Sequence, residues 1–380
     1  MVIKNGFNFL EPGEFRFGSI EVSDNKIKRI IDEVGTEKTT EIVIDAEGMY
    51  VIPGLVDIHL HGCNGVDFCD GTYEAFEIIE EYQLKHGITS VIPATMTVSS
   101  EELHKILGAA GEYMQRSRGV MEGITMEGPF ISENKKGAQN GEYIQRPDVN
   151  MYRKLQELSR GHIKQVAIAP EVERALEFIS EISNETIVSV AHTTADYELS
   201  QKAFEVGATH VTHLMNGMNE FLHREPGVTG AAFDKKDVFV ELICDGVHIH
   251  PSVVRAMFKL FGAERICMIS DSIRATGMTD GDYTLGGQKV FVKNGVATLE
   301  DGTLAGSICN LYECLKKTVL EMNIPLEKAV LACTKTPAKS LGMDEKCGVL
   351  AEGRSADLLI LDKELNIKFI IKQGKIIPYY

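Results

Sequence analysis

Two histidines that flank a single residue, His59 and His61, close an apolar run in the segment DIHLHG. On a β-strand that spacing turns both side chains to one side, and paired imidazoles beside a glycine suit a metal ion. Taken alone, the pair could equally be two histidines that hydrogen-bond at a strand end. Further along, Glu127 ends an apolar run in MEGPF, His192 stands in SVAHTTA, and His210 and His213 in THVTHLMNGM. Asp245, His248 and His250 follow in LICDGVHIHP, and Asp271 in ISDS. His210 opens its run and needs no functional role. The others close theirs. If they are buried, so many polar groups need partners. A divalent metal held by Glu127, His192 and His213 would satisfy three of them at once. Three protein ligands also leave a position open for water, as at catalytic metal sites.

Residues so placed need strands behind them. The runs 55–61, 88–95, 123–127, 166–170, 187–192, 210–214, 238–244 and 266–270 read as strands, with helical patterns between most of them. Ser99 and Glu102 form a capping-box pair, Pro251 suits a first helical turn, and 312–322 reads as the helix after the last strand. Eight strands alternating with helices predict a (β/α)8 TIM-type barrel, whose active face is the carboxyl end of its strands. The competing doubly wound open sheet lacks a GxGxxG after the first strand. Both chain ends are β-rich, with runs at 3–9, 15–22, 26–31, 41–44, 356–361 and 367–372. The expected organisation is a small β-sandwich domain built from residues 1–51 and 346–380 around a barrel of 52–345. Two long connections, 129–147 and 271–307, break the alternation, the second with hairpin pieces at 283–292 and 295–299. Connections that long in a compact domain are usually functional.

Composition sets outer limits. The 380 residues carry a formal net charge of −16, which argues against a general nucleic-acid binder. No apolar run approaches the ~20 residues that span a bilayer. Eight cysteines lie singly, without a CxxC pair, and read as reduced thiols of a cytoplasmic protein.

The combination PGLVDIHLHG, MEGPF, VAHTTA, THLMNGM, HREPG, DGVHIHP, ISDS and TLAGS resembles the N-acetylglucosamine-6-phosphate deacetylase family of the amidohydrolase superfamily. The likeness runs from about residue 48 to the closing GVLAEGRSADLLILD. It implies that Glu127, His192 and His213 are the main metal ligands, and that His59 and His61 match a pair able to hold a second ion. It implies Asp271 as the catalytic acid–base and His248 as a contact near the acetamido group. Asn216, Gly217 and Arg224 match phosphate-side contacts, and Gln139 stands where the family has histidine or glutamine. The implied cofactor is one or two divalent ions of zinc, iron, manganese or cobalt. The implied assembly is a homodimer with Arg224 reaching across the interface. Strand four ends without the lysine that a related branch carboxylates, so Glu127 takes the bridging role if two ions bind. Three rival functions stay open: another amidohydrolase acting on a cyclic amide or a nucleobase, the galactosamine isomer of the same substrate, and an inactive barrel serving as a scaffold.

Overall fold

The computed structural model describes residues 1–32, 42–117 and 119–378. Eight central strands run over Leu55–Leu60, Ile88–Pro93, Ile124–Met126, Ile163–Ile168, Ile187–Val190, His210–Val211, Phe239–Ile243 and Ile266–Ile269. The third to eighth pair in sequence order as one parallel sheet. The first pairs parallel with the second, and parallel bridges at Val91–Met121 and Ala94–Thr125 join the second to the third. The ring closes where the Asp271 N–H donates to the His59 carbonyl (3.0 Å) and the His61 N–H to that of Ser272 (2.7 Å). Closure removes the open doubly wound sheet as a reading and leaves the (β/α)8 barrel. Several strands stop short of their expected carboxyl ends, leaving His192, Leu214 and Ser270 outside them.

The capping box forms as expected. Ser99 Oγ accepts from the Glu102 N–H and Glu102 Oε2 from the Ser99 N–H, opening the helix Ser100–Met114. Pro251 opens Pro251–Phe261, whose first turn is capped by His250 Nδ1. The first α-helix after strand eight spans Leu311–Leu320, and Leu326–Cys333 and Lys335–Ser340 follow it.

The chain ends share one hydrogen-bonded sheet. Its order is Lys375–Ile377, Ile367–Lys372, Leu358–Leu361, Tyr50–Pro53, Val2–Leu10, Glu14–Ser23 and Lys26–Ile31, with Val43–Asp45 added beside Val2–Leu10. Residue 41, expected to start that added strand, lies outside the described residues. The sheet curls back on itself: the Ile27 N–H donates to Arg354 and the Gly353 N–H to Ile27. Ile20 and Ile27 from one end therefore pack with Ile360 and Ile371 from the other. The strand Tyr50–Pro53 straddles the expected boundary at 51 and runs through Gly54 straight into the first barrel strand. A Cβ on Gly54 would stand 2.1 Å from Thr89 Oγ1, so only glycine passes there. The same Thr89 anchors the small sheet. Buried Lys372 donates to the Thr89 carbonyl and to Asp357 Oδ2, both at 2.9 Å.

The connection after strand eight forms an antiparallel sheet of Gly281–Leu285, Gln288–Lys293 and Val296–Thr298, close to the two hairpins expected there. Gln288 Nε2 donates to the Ala138 carbonyl (2.5 Å), tying this sheet to the other long connection over the barrel mouth.

Removing one partner of a buried ion pair strands the other, at a cost of about 3–5 kcal/mol. Lys372→Met should lower the unfolding free energy by that order, with a lower denaturant midpoint, and adding Asp357→Asn should recover part of the loss. An unchanged midpoint in the single variant would show that the pair does not hold the two units together.

Candidate active site

His59 lies near the end of the first barrel strand, His61, Glu127, His192, His213 and Asp271 stand just past theirs, and several are turned by an unusual backbone. His192 (φ 43°), His213 (φ 30°) and Asp271 (φ 49°) are all left-handed. That conformation costs a non-glycine residue about 1–3 kcal/mol and collects where function demands it. Here it aims the three side chains into the mouth instead of out along the wall.

They converge on Glu127, which is 2% exposed. Its Oε1 lies 3.0 Å from both His192 Nε2 and His213 Nε2, which are 3.1 Å from each other. Its Oε2 lies 3.2 Å from His61 Nε2 and 3.5 Å from His59 Nε2. Asp271 Oδ1 closes the second side, 3.3 Å from His61 Nε2 and 3.8 Å from His59 Nε2. Two triads thus have the geometry of cation sites, Glu127–His192–His213 and His59–His61–Asp271, with Glu127 between them.

The imidazole tautomers follow from their outer partners. His61 Nδ1 faces the Ala94 carbonyl (3.3 Å), His192 Nδ1 that of Lys135 (2.8 Å), and His213 Nδ1 that of Asn216 (3.1 Å). His59 Nδ1 faces the carboxylate of Glu241 (3.2 Å). Carbonyls and carboxylates only accept, so each Nδ1 carries a proton, and each ring in its neutral form presents a bare Nε2 lone pair inward. Four lone pairs and two carboxylates then face one another, and the buried Nε2 of His59 has no hydrogen-bond partner. Such an arrangement calls for positive charge. The donor set of imidazole nitrogen and carboxylate oxygen fits a divalent transition metal.

The proton affinities say the same. Burial works against charge at every group here, but the neighbours outweigh it. His59 is raised well above its ordinary value by the Glu127 and Glu241 charges. His61 is raised to about 10 by hydrogen bonds to Asp271 and Glu127. Glu127 is held well below the usual carboxylate range by the His59 charge and the ring hydrogen bonds. Asp271 is lowered by His61 and His59, and so stands ionised at neutral pH.

A cavity of about 250 Å³ opens over this centre, lined among others by Gln139, Asn216, Gly217, His248 and Asp271. Gln139 Nε2 donates to Glu127 Oε2 (2.9 Å) while its Oε1 accepts from the Thr97 N–H (2.6 Å). His248 Nδ1 is held by Asp245 Oδ2 at 2.8 Å. Burial lowers the His248 pKa, but Asp245 overrides it and the value is raised, which favours the ring with a donor at Nε2. Gly217 also lines the cavity; its carbonyl accepts from Thr193 (2.9 Å), and a Cβ there would meet His192 Nδ1 at 2.9 Å. His210 is buried outside the two triads, as its place at a strand start suggested, and His250 caps a helix. Arg224 is not brought to the cavity. It is exposed, with its guanidinium on His223 at 2.8 Å.

Sequence reasoning missed two groups. Glu241 sits in the all-buried run VELIC and gave no signal. The Lys135 carbonyl is backbone, which composition cannot reveal.

A TIM barrel whose strand ends gather four histidines and an aspartate around one buried glutamate defines a hydrolase of the metal-dependent type. The chain belongs to the amidohydrolase family, a sequence model of which matches residues 50–377. It is 34% identical over 381 residues to the N-acetylglucosamine-6-phosphate deacetylase of Bacillus subtilis (strain 168), covering 99% of this chain and 93% of that one. It is 30% identical over 361 residues to an N-acetylgalactosamine-6-phosphate deacetylase of Escherichia coli O157:H7, covering 94% of this chain and 96% of that one. Among solved structures it resembles a mutant N-acetyl-D-glucosamine-6-phosphate deacetylase from Mycobacterium smegmatis in complex with N-acetyl-D-glucosamine-6-phosphate. The TM-score is 0.93 at 30% identity, over 99% of this chain and 98% of that one.

Because His61 stands at about 10 in the ion-free site, it holds a proton at neutral pH that a cation must displace. Zinc added to ion-free protein in weak buffer should therefore release protons, and its affinity should rise between about pH 6 and 8. Binding that releases no protons and ignores pH would contradict this charge balance.

Proposed function

We infer that this chain is an enzyme that hydrolyses the acetamide of N-acetyl-D-glucosamine 6-phosphate, giving D-glucosamine 6-phosphate and acetate in amino-sugar metabolism. The observation that carries the reading is the Glu127 centre beneath a cavity bordered by Asp271 and His248, within a chain similar over nearly its whole length to deacetylases of that substrate. We assign one divalent cation to Glu127, His192 and His213, and a second to His59, His61 and the other face of Glu127. Zinc, iron, manganese and cobalt all suit these donors.

A bound divalent ion would lower the pKa of water and polarise the acetyl carbonyl. The rest falls to the chain. Asp271, ionised at neutral pH, takes the proton of the water whose oxygen bonds to the acetyl carbon. His248, steadied by Asp245, donates a hydrogen bond to the oxygen that gains charge. Asp271 then gives its proton to the sugar nitrogen as the C–N bond breaks, leaving acetate and a free amine. Asn216 and Gly217 border the cavity and are assigned to the phosphate side, and Gln139 to the rim beside Glu127.

The similarity to a galactosamine-type deacetylase supports a second reading, in which the epimer at the sugar's C4 is preferred. Acetate release from N-acetylglucosamine and N-acetylgalactosamine, each with and without the 6-phosphate, separates them. The glucosamine 6-phosphate should be turned over most efficiently. Equal efficiency without phosphate would remove Asn216, Gly217 and Arg224 from the site, and activity on none of the four would overturn the assignment. In the same assay Asp271→Asn should lose about 10²–10⁴ in kcat while keeping the ion of Glu127, His192 and His213. A near-normal kcat would take the acid–base role from Asp271.

We further propose a homodimer in which Arg224 serves the neighbouring subunit's phosphate. Arg224 lies outside its own chain's cavity lining, beside Phe221 and Leu222, which are 43% and 45% exposed. A planar guanidinium fork suits a phosphate, and large apolar residues beside it suit cover by a second copy. A cytoplasmic location fits the eight free cysteines, and no helix among the described residues is long and apolar enough to cross a membrane. Complementation tests the dimer. Arg224→Ala and Asp271→Asn chains, each nearly inactive, should regain roughly a quarter of wild-type activity after subunit exchange, since half the dimers are mixed and each carries one intact site. With exchange verified, no regain would place the arginine's action within its own chain.

A further inference from the structure

Glu241 lies in the middle of the seventh barrel strand, Phe239–Ile243, and is 0% exposed. Burying a carboxylate there is costly, and the interior of such a barrel is ordinarily filled by apolar side chains. Its contacts supply a reason. Oε2 lies 3.2 Å from His59 Nδ1 and also accepts from the backbone N–H of His213 at 3.1 Å. Oε1 accepts from Gln165 Nε2 at 2.8 Å, with His210 Nδ1 at 3.5 Å. The Glu241 carbonyl accepts from the Leu214 N–H at 2.8 Å, so the strand holds the His213 turn at two successive residues.

A single oxygen of Glu241 therefore touches both triads, which lie on opposite faces of Glu127. It keeps the proton of His59 on Nδ1 and so leaves Nε2 bare. It also fixes the left-handed turn that carries His213. The other outer partners, the Ala94, Lys135 and Asn216 carbonyls, each hold one ring.

We propose that Glu241 is a positioning residue that sets both halves of the cation centre at once, holding His59 through its ring and His213 through its backbone. The proposal rests on the reading of the two triads as cation sites. It adds that their affinities are linked through a residue that need touch neither ion.

The conservative substitution has a structural prospect. In Glu241→Gln the amide oxygen can still accept from His59 and His213. The new N–H2 would face Gln165, whose Oε1 is buried without a partner and can turn to accept. Glu241→Leu removes every acceptor of that side chain.

The test is titration of ion-free, full-length protein with zinc in competition with a chromogenic chelator, with circular dichroism as the check on folding. Wild type should take two equivalents. Glu241→Leu should weaken both by about 10–100-fold, the usual loss when an outer partner of a ligand is removed. Glu241→Gln should stay within a few-fold of wild type. If Glu241→Leu does not fold, Glu241→Asp replaces it, since its shortened carboxylate loses reach and should show the same double loss. Folded Leu or Asp variants with unchanged constants would reduce Glu241 to barrel filling and overturn the proposal. Loss at one equivalent alone would overturn the linkage. A wild-type protein that takes no zinc would instead overturn the cation reading beneath it.

Discussion

One buried carboxylate organises the active face. Glu127 has an imidazole nitrogen 3.0 Å away on one oxygen and 3.2 Å away on the other, with almost no access to water. Because outer acceptors hold the ring protons on Nδ1, the inward surface consists of lone pairs and negative charge. Like partial charges so close in a low-dielectric interior repel strongly. Positive charge must therefore enter, as protons or as metal. Much else in the barrel mouth serves to keep this unfavourable set of groups together: the left-handed turns at His192, His213 and Asp271, the backbone carbonyls behind three rings, and the glycine that lets His192 lie flat against the chain.

On the proposed function, the same constraint accounts for how an acidic chain of net charge −16 would meet an anionic sugar phosphate. The attraction is local. Whatever cation fills the centre offsets the carboxylates beneath the cavity, and His248 leans toward its charged form because Asp245 holds it. Beyond Asp271, the two long connections line the cavity without charged side chains: Gln139 comes from one and Leu285 from the other, joined where Gln288 meets the Ala138 carbonyl.

Much of this could be read from the amino-acid order, because barrel strands are short apolar runs that end where chemistry begins. The period of a strand put His59 and His61 on one side, and Glu127, His192, His213 and Asp271 each closed a run. The capping box at Ser99 and the proline at 251 marked helix starts for local reasons that tertiary context did not override. Other features left no such mark. A strand buried on both faces has no polar–apolar alternation, so Glu241 in VELIC looked like one charge in a core strand. The strand Tyr50–Pro53 merged with the barrel strand after it, since nothing but Gly54 separates them. The motif marks Gly217 for the phosphate side; its left-handed backbone and closeness to the His192 ring are properties of packing that no motif shows. The motif marks Arg224 too, but its side chain is exposed, on His223 and away from its own chain's cavity.

The claim on which the rest depends is that Glu127 is shared between two cations. Crystals of the metal-loaded protein, measured on either side of the metal's absorption edge, test it directly. The account predicts two anomalous peaks flanking the Glu127 carboxylate, about 3.5–4 Å apart, one beside His192 and His213 and the other beside His59 and His61. A single peak at saturating metal, with His59 and His61 touching no ion, would contradict it.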